Sequence, residues 1–216
     1  MAAFDFGVKA DVALFQRQIN GGYDVDVSGY IRRAWEMFRE HVGEFIGFTL
    51  IVIVLSSLSS HPFGSLLFSA LATPLYAGYA IVAFKLSVGQ EIEFSDFFKG
   101  FNYFLPLFLA GLAMGLLVSV GFVLLILPGI YLAVGYTFAI YLIVDHRMEF
   151  WQAMETSRKI VTKHWFRILW VGVVLAAVNL LGLLALGVGL LVSLPVSACA
   201  AAIAYREIIG LHSVEW

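Results

Sequence analysis

Residues 103–144 read YFLPLFLAGLAMGLLVSVGFVLLILPGIYLAVGYTFAIYLIV, a run without one charged side chain. As continuous helix this run would extend roughly 63 Å at about 1.5 Å per residue, close to two crossings of a hydrocarbon layer about 30 Å thick. Leu127-Pro128-Gly129 lies near its middle. Proline lacks a backbone donor and glycine tolerates dihedrals that other residues avoid. The sequence therefore places a turn at Pro128 and Gly129 and predicts two helical arms folded back on each other.

Outward from this run the arrangement recurs twice. Residues 45–84 hold no Asp, Glu, Lys or Arg and are interrupted by Ser59-Ser60-His61-Pro62-Phe63-Gly64. Residues 168–205 are free of those four residue types and turn around Gly187-Val188-Gly189. This last run gives roughly 57 Å of helix, which either spans snugly or is re-entrant. Each returning arm or its entry carries one proline, Pro74, Pro128 or Pro195. These prolines read as kinks or helix entries.

An amphipathic segment precedes each run. In the first, Tyr30, Ile31, Ala34, Trp35, Phe38 and Val42 share a face opposite Arg32, Arg33, Glu36, Arg39 and Glu40, with Ser28 as the expected N-cap. In the second, Ser95 is the expected cap; Phe94, Phe97, Phe98, Phe101 and Phe104 fall on one side, and Asp96, Lys99 and Asn102 face away. In the third, Phe150, Ala153, Met154, Ser157, Ile160, Val161 and His164 oppose Gln152, Glu155, Arg158, Lys159, Thr162 and Lys163. Helices of this kind lie along a membrane surface.

The expected fold is an all-α integral membrane protein with six transmembrane helices. They form three hairpins, about 28–85, 94–144 and 149–209, each preceded by an amphipathic interfacial helix. A short segment 1–27, with a helix over residues 8–19, leads in, and residues 210–216 form a tail. The threefold pattern makes an ancient triplication a hypothesis.

Composition agrees: 61% of residues are hydrophobic and 13% charged, against about a quarter charged in soluble domains, and the mean hydropathy is +0.91. Asp5, Lys9, Asp11 and Arg17 interrupt the N-terminal segment, which excludes a secretory signal. Every Lys and Arg lies in the N-terminal segment, the two inter-hairpin segments or the tail. By the positive-inside rule that side is cytoplasmic, and six crossings put both termini there.

No Asp, Glu, Lys or Arg falls inside a predicted crossing, which counts against ion-coupled transport and proton pumping. Asn179 is the most polar side chain at mid-depth, and with Thr137, Ser119 and Ser197 it would line any path for a neutral solute. The favoured reading is that Asn179 bonds a neighbouring helix, a contact worth about 1 kcal/mol or less. His41, His61, His146, His164 and His212 are scattered without ligand spacing, so no metal or cofactor is expected. No nucleophile–base constellation is visible and no enzymatic activity is expected. Cys199 stands alone, so no intramolecular disulfide forms.

Small residues recur four apart, as at Gly43 and Gly47, Gly111 and Gly115, and Gly135 and Ala139. This spacing reads as close helix packing. Arg32, Arg33, Arg39, Arg158, Lys159, Lys163 and Arg167 lie beside the membrane, where each base attracts anionic head groups by about 1 kcal/mol. The expected partners are membrane lipids, a membrane-protein partner or a second copy of the chain. Nothing points to nucleic acid.

Leu-Leu-Ile-Leu-Pro-Gly-Ile-Tyr-Leu at 124–132, Asp145 after the returning arm, Phe-Trp-Gln-Ala-Met-Glu-Thr-Ser-Arg-Lys at 150–159, and the closing Pro195 and Tyr205 carry a resemblance. The chain resembles a broad family of uncharacterised bacterial multipass inner-membrane proteins. That family is related in pattern to the membrane domain attached to some bacterial glycerophosphodiester phosphodiesterases. The resemblance implies the bacterial inner membrane. It transfers no phosphodiesterase activity, because the soluble domain and its acidic metal ligands are absent here. The functional expectation is a membrane scaffold or accessory subunit contacting partner proteins and anionic lipid. The alternatives are a transporter or channel for a neutral or amphipathic solute, and a membrane-curvature protein.

Overall fold

The computed structural model describes residues 15, 16, 19, 23–60, 62–185 and 187–212. The helix expected over residues 8–19 lies for the most part outside them. All regular structure among the described residues is helical.

Helix α1 (Val27–Glu40) is capped by Asp26 rather than by Ser28. The Gly29 N–H donates to Asp26 Oδ1 at 3.0 Å, and the Ser28 hydroxyl donates to the same oxygen at 2.9 Å. Ser28 thus supports the cap instead of forming it. Tyr30, Ala34 and Phe38 are buried, whereas Trp35 and Val42 of the expected apolar face are 46% and 38% exposed. The chain then bends by 98° into α2 (Val42–Ser57), and a short 3-10 turn (Leu58–Ser60) ends that arm.

Helix α3 (Pro62–Ser87) runs through Pro74 without a break. Neighbouring backbone and packing tolerate an internal proline in apolar helices of this kind. The segment Phe94–Tyr103 forms ten residues of 3-10 helix rather than the α-helix its pattern predicts. A 3-10 helix has three residues per turn. Phe97, Gly100 and Tyr103, three apart, accordingly form the buried side. Gly78 and Gly100 let this element lie backbone-on-backbone against α3: a Cβ on Gly78 would stand 1.9 Å from the Phe97 carbonyl oxygen, and one on Gly100 would stand 2.1 Å from that of Pro74.

Helix α4 (Phe104–Leu124) follows, and the chain turns at Leu125, the extended residue between α4 and α5 (Ile126–Gly135). The turn expected at Pro128 and Gly129 is therefore three residues early, and both sit in the first turn of α5. Proline fits there because first-turn N–H groups have no intrahelical acceptor. Gly129 instead packs against α4, where a Cβ added to Gly121 would meet its Cα at 2.9 Å. After α5 the chain breaks at Tyr136, Thr137 and Phe138 before α6 (Ala139–His146). Helix α7 (Phe150–Lys163) buries Ala153, Met154, Ser157, Ile160 and Val161 as its period predicts. Helices α8 (Trp165–Leu184) and α9 (Leu190–Ile208) complete the fold, with Gly187 at φ +76° in the turn between them.

Among the described residues, five stretches are long and apolar enough to cross a membrane: Phe68–Ser87, Phe94–Leu124, Ile126–His146, Trp165–Leu184 and Leu190–Ile208. The bent pair α1 and α2 makes a sixth when counted as one span.

Burial sorts these stretches into two layers. Those containing α3, α5 with α6, and α9 are 56%, 39% and 72% buried, against 17% for each of those containing α4 and α8. The inner layer meets at an aromatic cluster with one member from each of its helices: the Tyr141 and Tyr205 rings stack with centroids 5.4 Å apart, and Phe84 lies 5.4 Å from Tyr205. Helix α9 is the hub, packed on α1, α2, α3 and α8.

Candidate functional site

The basic residues singled out by the sequence separate into two groups. Arg33 pairs with Glu207 of α9, and its Nε donates to the Gly29 carbonyl. Arg158 forks onto Glu155 through Nε at 2.9 Å and an Nη at 2.7 Å, and Lys159 reaches the same carboxylate at 3.5 Å. Arg167 lies 3.3 Å from Asp24 and donates to the Tyr23 carbonyl at 3.2 Å. Arg32, Arg39 and Lys163 are exposed and make no ion pair among the described residues. Of the seven singled out, these three are free to meet an external anion, as are the exposed Arg147 and Arg206. The Arg158 fork, helped by Lys159, holds the Glu155 carboxyl below the usual carboxylate range. The Gly29 N–H and the Ser28 hydroxyl do the same for Asp26.

Of the four expected mid-depth polar residues, Asn179 and Ser197 meet, and Thr137 and Ser119 lie apart from them. Asn179 Nδ2 donates to Ser197 Oγ at 2.9 Å and to the Leu175 carbonyl at 3.0 Å, joining α8 to α9. Thr137 donates to the Val134 carbonyl at the break after α5. Ser119 is exposed on α4, which packs on α3, α5 and α7 rather than on α8 or α9.

Three buried polar contacts went unread in the sequence. Asp145, 1% exposed, accepts the Tyr205 hydroxyl at 2.9 Å and the His212 backbone N–H at 3.0 and 3.1 Å. The His146 and His212 rings stack beside it, 4.7 Å apart. A carboxylate with two acceptor oxygens thereby fastens the C-terminal tail, returning past Gly210 at φ +89°, to the end of α6.

The second contact centres on Asp96, which was expected to face away and is in fact buried. It takes Lys85 at 2.6 Å, Lys99 at 2.8 Å and the Glu93 N–H at 2.8 Å. The cap of this segment is thus built by Glu93 and Asp96 rather than by Ser95 alone. The third is Ser157, whose Oγ donates to the Gly135 carbonyl at 2.7 Å and accepts the Phe138 N–H at 3.0 Å. One hydroxyl satisfies both sides of the break between α5 and α6.

Buried aromatic and aliphatic side chains fill the centre of the molecule among the described residues. Hydroxyls near it are used internally, Tyr76 with Tyr141 at 2.9 Å and Thr49 with Tyr79 at 2.7 Å. A cavity of about 130 Å³ lies between α2, α3 and α9, walled by apolar groups such as Val52, Ala72, Leu75 and Leu194. No group of three or more His, Cys, Asp or Glu among the described residues is placed to hold a metal ion. Neither the family models, nor the curated proteins, nor the solved structures compared with this chain give a match, so no residue role is transferred to it.

Proposed function

We propose that the chain is a six-span protein of the bacterial inner membrane, built as three hairpins with interfacial helices on the cytoplasmic side. In this reading it is a scaffold or accessory subunit that contacts partner proteins and anionic lipid. The observation that carries it is the two-layer packing. An aromatic and alanine-rich inner layer is flanked by α4 and α8, which present broad apolar faces, with Leu112, Leu116, Phe166 and Trp170 each at least 60% exposed. Side chains so displayed meet lipid or another apolar surface.

The same reading groups the charged segments at one end. Arg33 with Glu207, Arg167 with Asp24, and Asp145 with His212 tie them to one another. Head-group attraction then falls to Arg32, Arg39 and Lys163, with the paired bases contributing less because their charge is already met. Replacing these three by Gln is expected to lower binding of the purified protein to nanodiscs rich in anionic lipid, while Arg158→Gln has a smaller effect. Unchanged preference in the triple variant would remove the lipid-contact part of the proposal.

One observation favours the curvature reading as an addition. The tip at Val123, Leu124, Leu125, Ile126 and Leu127 is 68–85% exposed and wholly apolar. A tip of that chemistry prefers the far-side interface to open water. Cysteine at Val188, in the third tip, reacts with an impermeant maleimide from the far side if that hairpin spans and stays silent if it is re-entrant.

A further inference from the structure

The first helix pair is built differently from the other two. Helix α4 lies along α5, and α8 along α9, each pair closed near its tip by glycine backbones in contact, Gly121 with Gly129 and Gly182 with Gly189. Helices α2 and α3 barely touch, and α2 leans on α9 instead. The splay leaves the crevice of about 130 Å³, floored by Ala72, Leu75 and the rings of Tyr76 and Tyr79, and walled by Val52 and Ala198.

Two properties define what fits there. The hydroxyls of Tyr76 and Tyr79 are bonded to Tyr141 and Thr49, so the walls are apolar. An engineered cavity of similar size, about 150 Å³, and similar lining stays dry and takes hydrocarbon rather than water. Ser56 follows Val52 by one helical turn, and Ser57, Ser59 and Ser60 continue a rim of hydroxyls through the end of α2 and the 3-10 turn beyond it. Each donates to the carbonyl three residues earlier, at 2.6–2.9 Å, which leaves its lone pairs to accept. No charged residue lies in residues 45–84. The other two tips have no hydrogen-bonding side chain from Val120 to Ile130 or from Leu180 to Val192. The first pair therefore sets a hydrocarbon slot beneath an accepting rim that the other two tips lack.

We propose that the crevice between α2, α3 and α9 binds one acyl chain of a membrane phospholipid in the leaflet away from the charged end. Its head group, zwitterionic and bearing N–H or O–H donors, rests on the serine rim. This rests on the spanning arrangement proposed above, which places Ser59 at the far face.

The test uses the full-length protein in vesicles with a phosphatidylethanolamine carrying a diazirine on its acyl chain. Crosslinks are expected on α2, α3 and α9 around Ala72, saturating with probe and competed by unlabelled phosphatidylethanolamine. Ala72→Phe and Ala198→Phe, which put a ring into the slot, are expected to lower that competed signal roughly tenfold or more. Leu112→Phe, on the outer face of α4, leaves it unchanged. Crosslinking that does not saturate, that spreads evenly over α4 and α8, or that survives in a folded Ala72→Phe or Ala198→Phe variant overturns the proposal. If both variants fail to fold, the wild-type saturation and mapping decide alone. Maleimide labelling of Ser59→Cys and Lys159→Cys, run in parallel, separates this outcome from the arrangement: labelling of both from one side defeats the spanning reading, whereas labelling from opposite sides with no saturable crosslink defeats the lipid site only.

Discussion

Two side chains, Ser157 and Asp145, show how buried polar groups hold chain breaks and ends in place. Ser157→Ala leaves the Phe138 N–H and the Gly135 carbonyl without their partner at the break before α6. An unsatisfied buried group costs about 1–3 kcal/mol. Tyr205→Phe removes the hydroxyl that donates to Asp145 while keeping the ring stack, and a hydrogen bond to a charged group is worth about 1.5–3 kcal/mol. Both variants are expected to unfold earlier in thermal denaturation of the purified protein in detergent. Tyr205→Phe is also expected to speed proteolysis of the tail around His212. Ser157 was legible from its place on the apolar face of α7, though its double role was not. The burial of Asp145 was not legible. The residue that covers it lies 67 positions away, and a carboxylate at the end of an apolar run reads locally as a boundary with water.

At the scale of single elements, glycine decides how closely the arms approach. Ala at Gly121 would bring Cβ to 2.9 Å from the Gly129 backbone, and Ala at Gly182 would bring it to 2.4 Å from Ser193 Oγ and 3.0 Å from the Gly189 carbonyl carbon. Overpacking of that kind costs about 1–3 kcal/mol. Gly115 has open space around it, so Gly115→Ala is expected to be neutral in the thermal assay in which the other two lose stability. The four-residue spacing that drew attention to Gly111 and Gly115 is thus half right: Gly111 faces Thr73, and Gly115 faces nothing.

The surface helices add an acid-sensitive contribution. Asp26 and Glu155 are both held below the ordinary carboxylate range, so the fold favours their ionised forms. Their contribution is complete above the ordinary value of about 4 and is lost as pH falls through the lowered folded values. Stability is expected to hold from neutrality down to that point and then decline, with Asp26→Asn and Glu155→Gln each flattening part of the decline. The clearest misreading of an element has a simple cause. Residues 94–103 were given a period of 3.6 when the chain uses 3.0, which turned Asp96 outward on paper while the fold pairs it with Lys85.

For the whole molecule, the charge-free runs were enough to foresee an all-helical chain with membrane-length helices, because bilayer thickness fixes run length. The two-layer order was not read from the sequence, although a signal for it was there: the outer stretches containing α4 and α8 are the most apolar of the five. What further separates α9 from α8 is a run rich in small side chains, Ala198 to Ala204, that admits neighbours on every side. Impermeant maleimide should reach Ser59→Cys from one face of sealed vesicles holding the protein and Lys159→Cys from the other; reaction of both from the same face would refute the proposed arrangement.

Because α9 touches α1, α2, α3 and α8, the helix on which these four pack is synthesised after every one of them. Until it arrives, α1 and α3 lack one of their main neighbours. Arrival of α9, rather than pairing of α2 with α3, is then the event that commits these helices to their final packing.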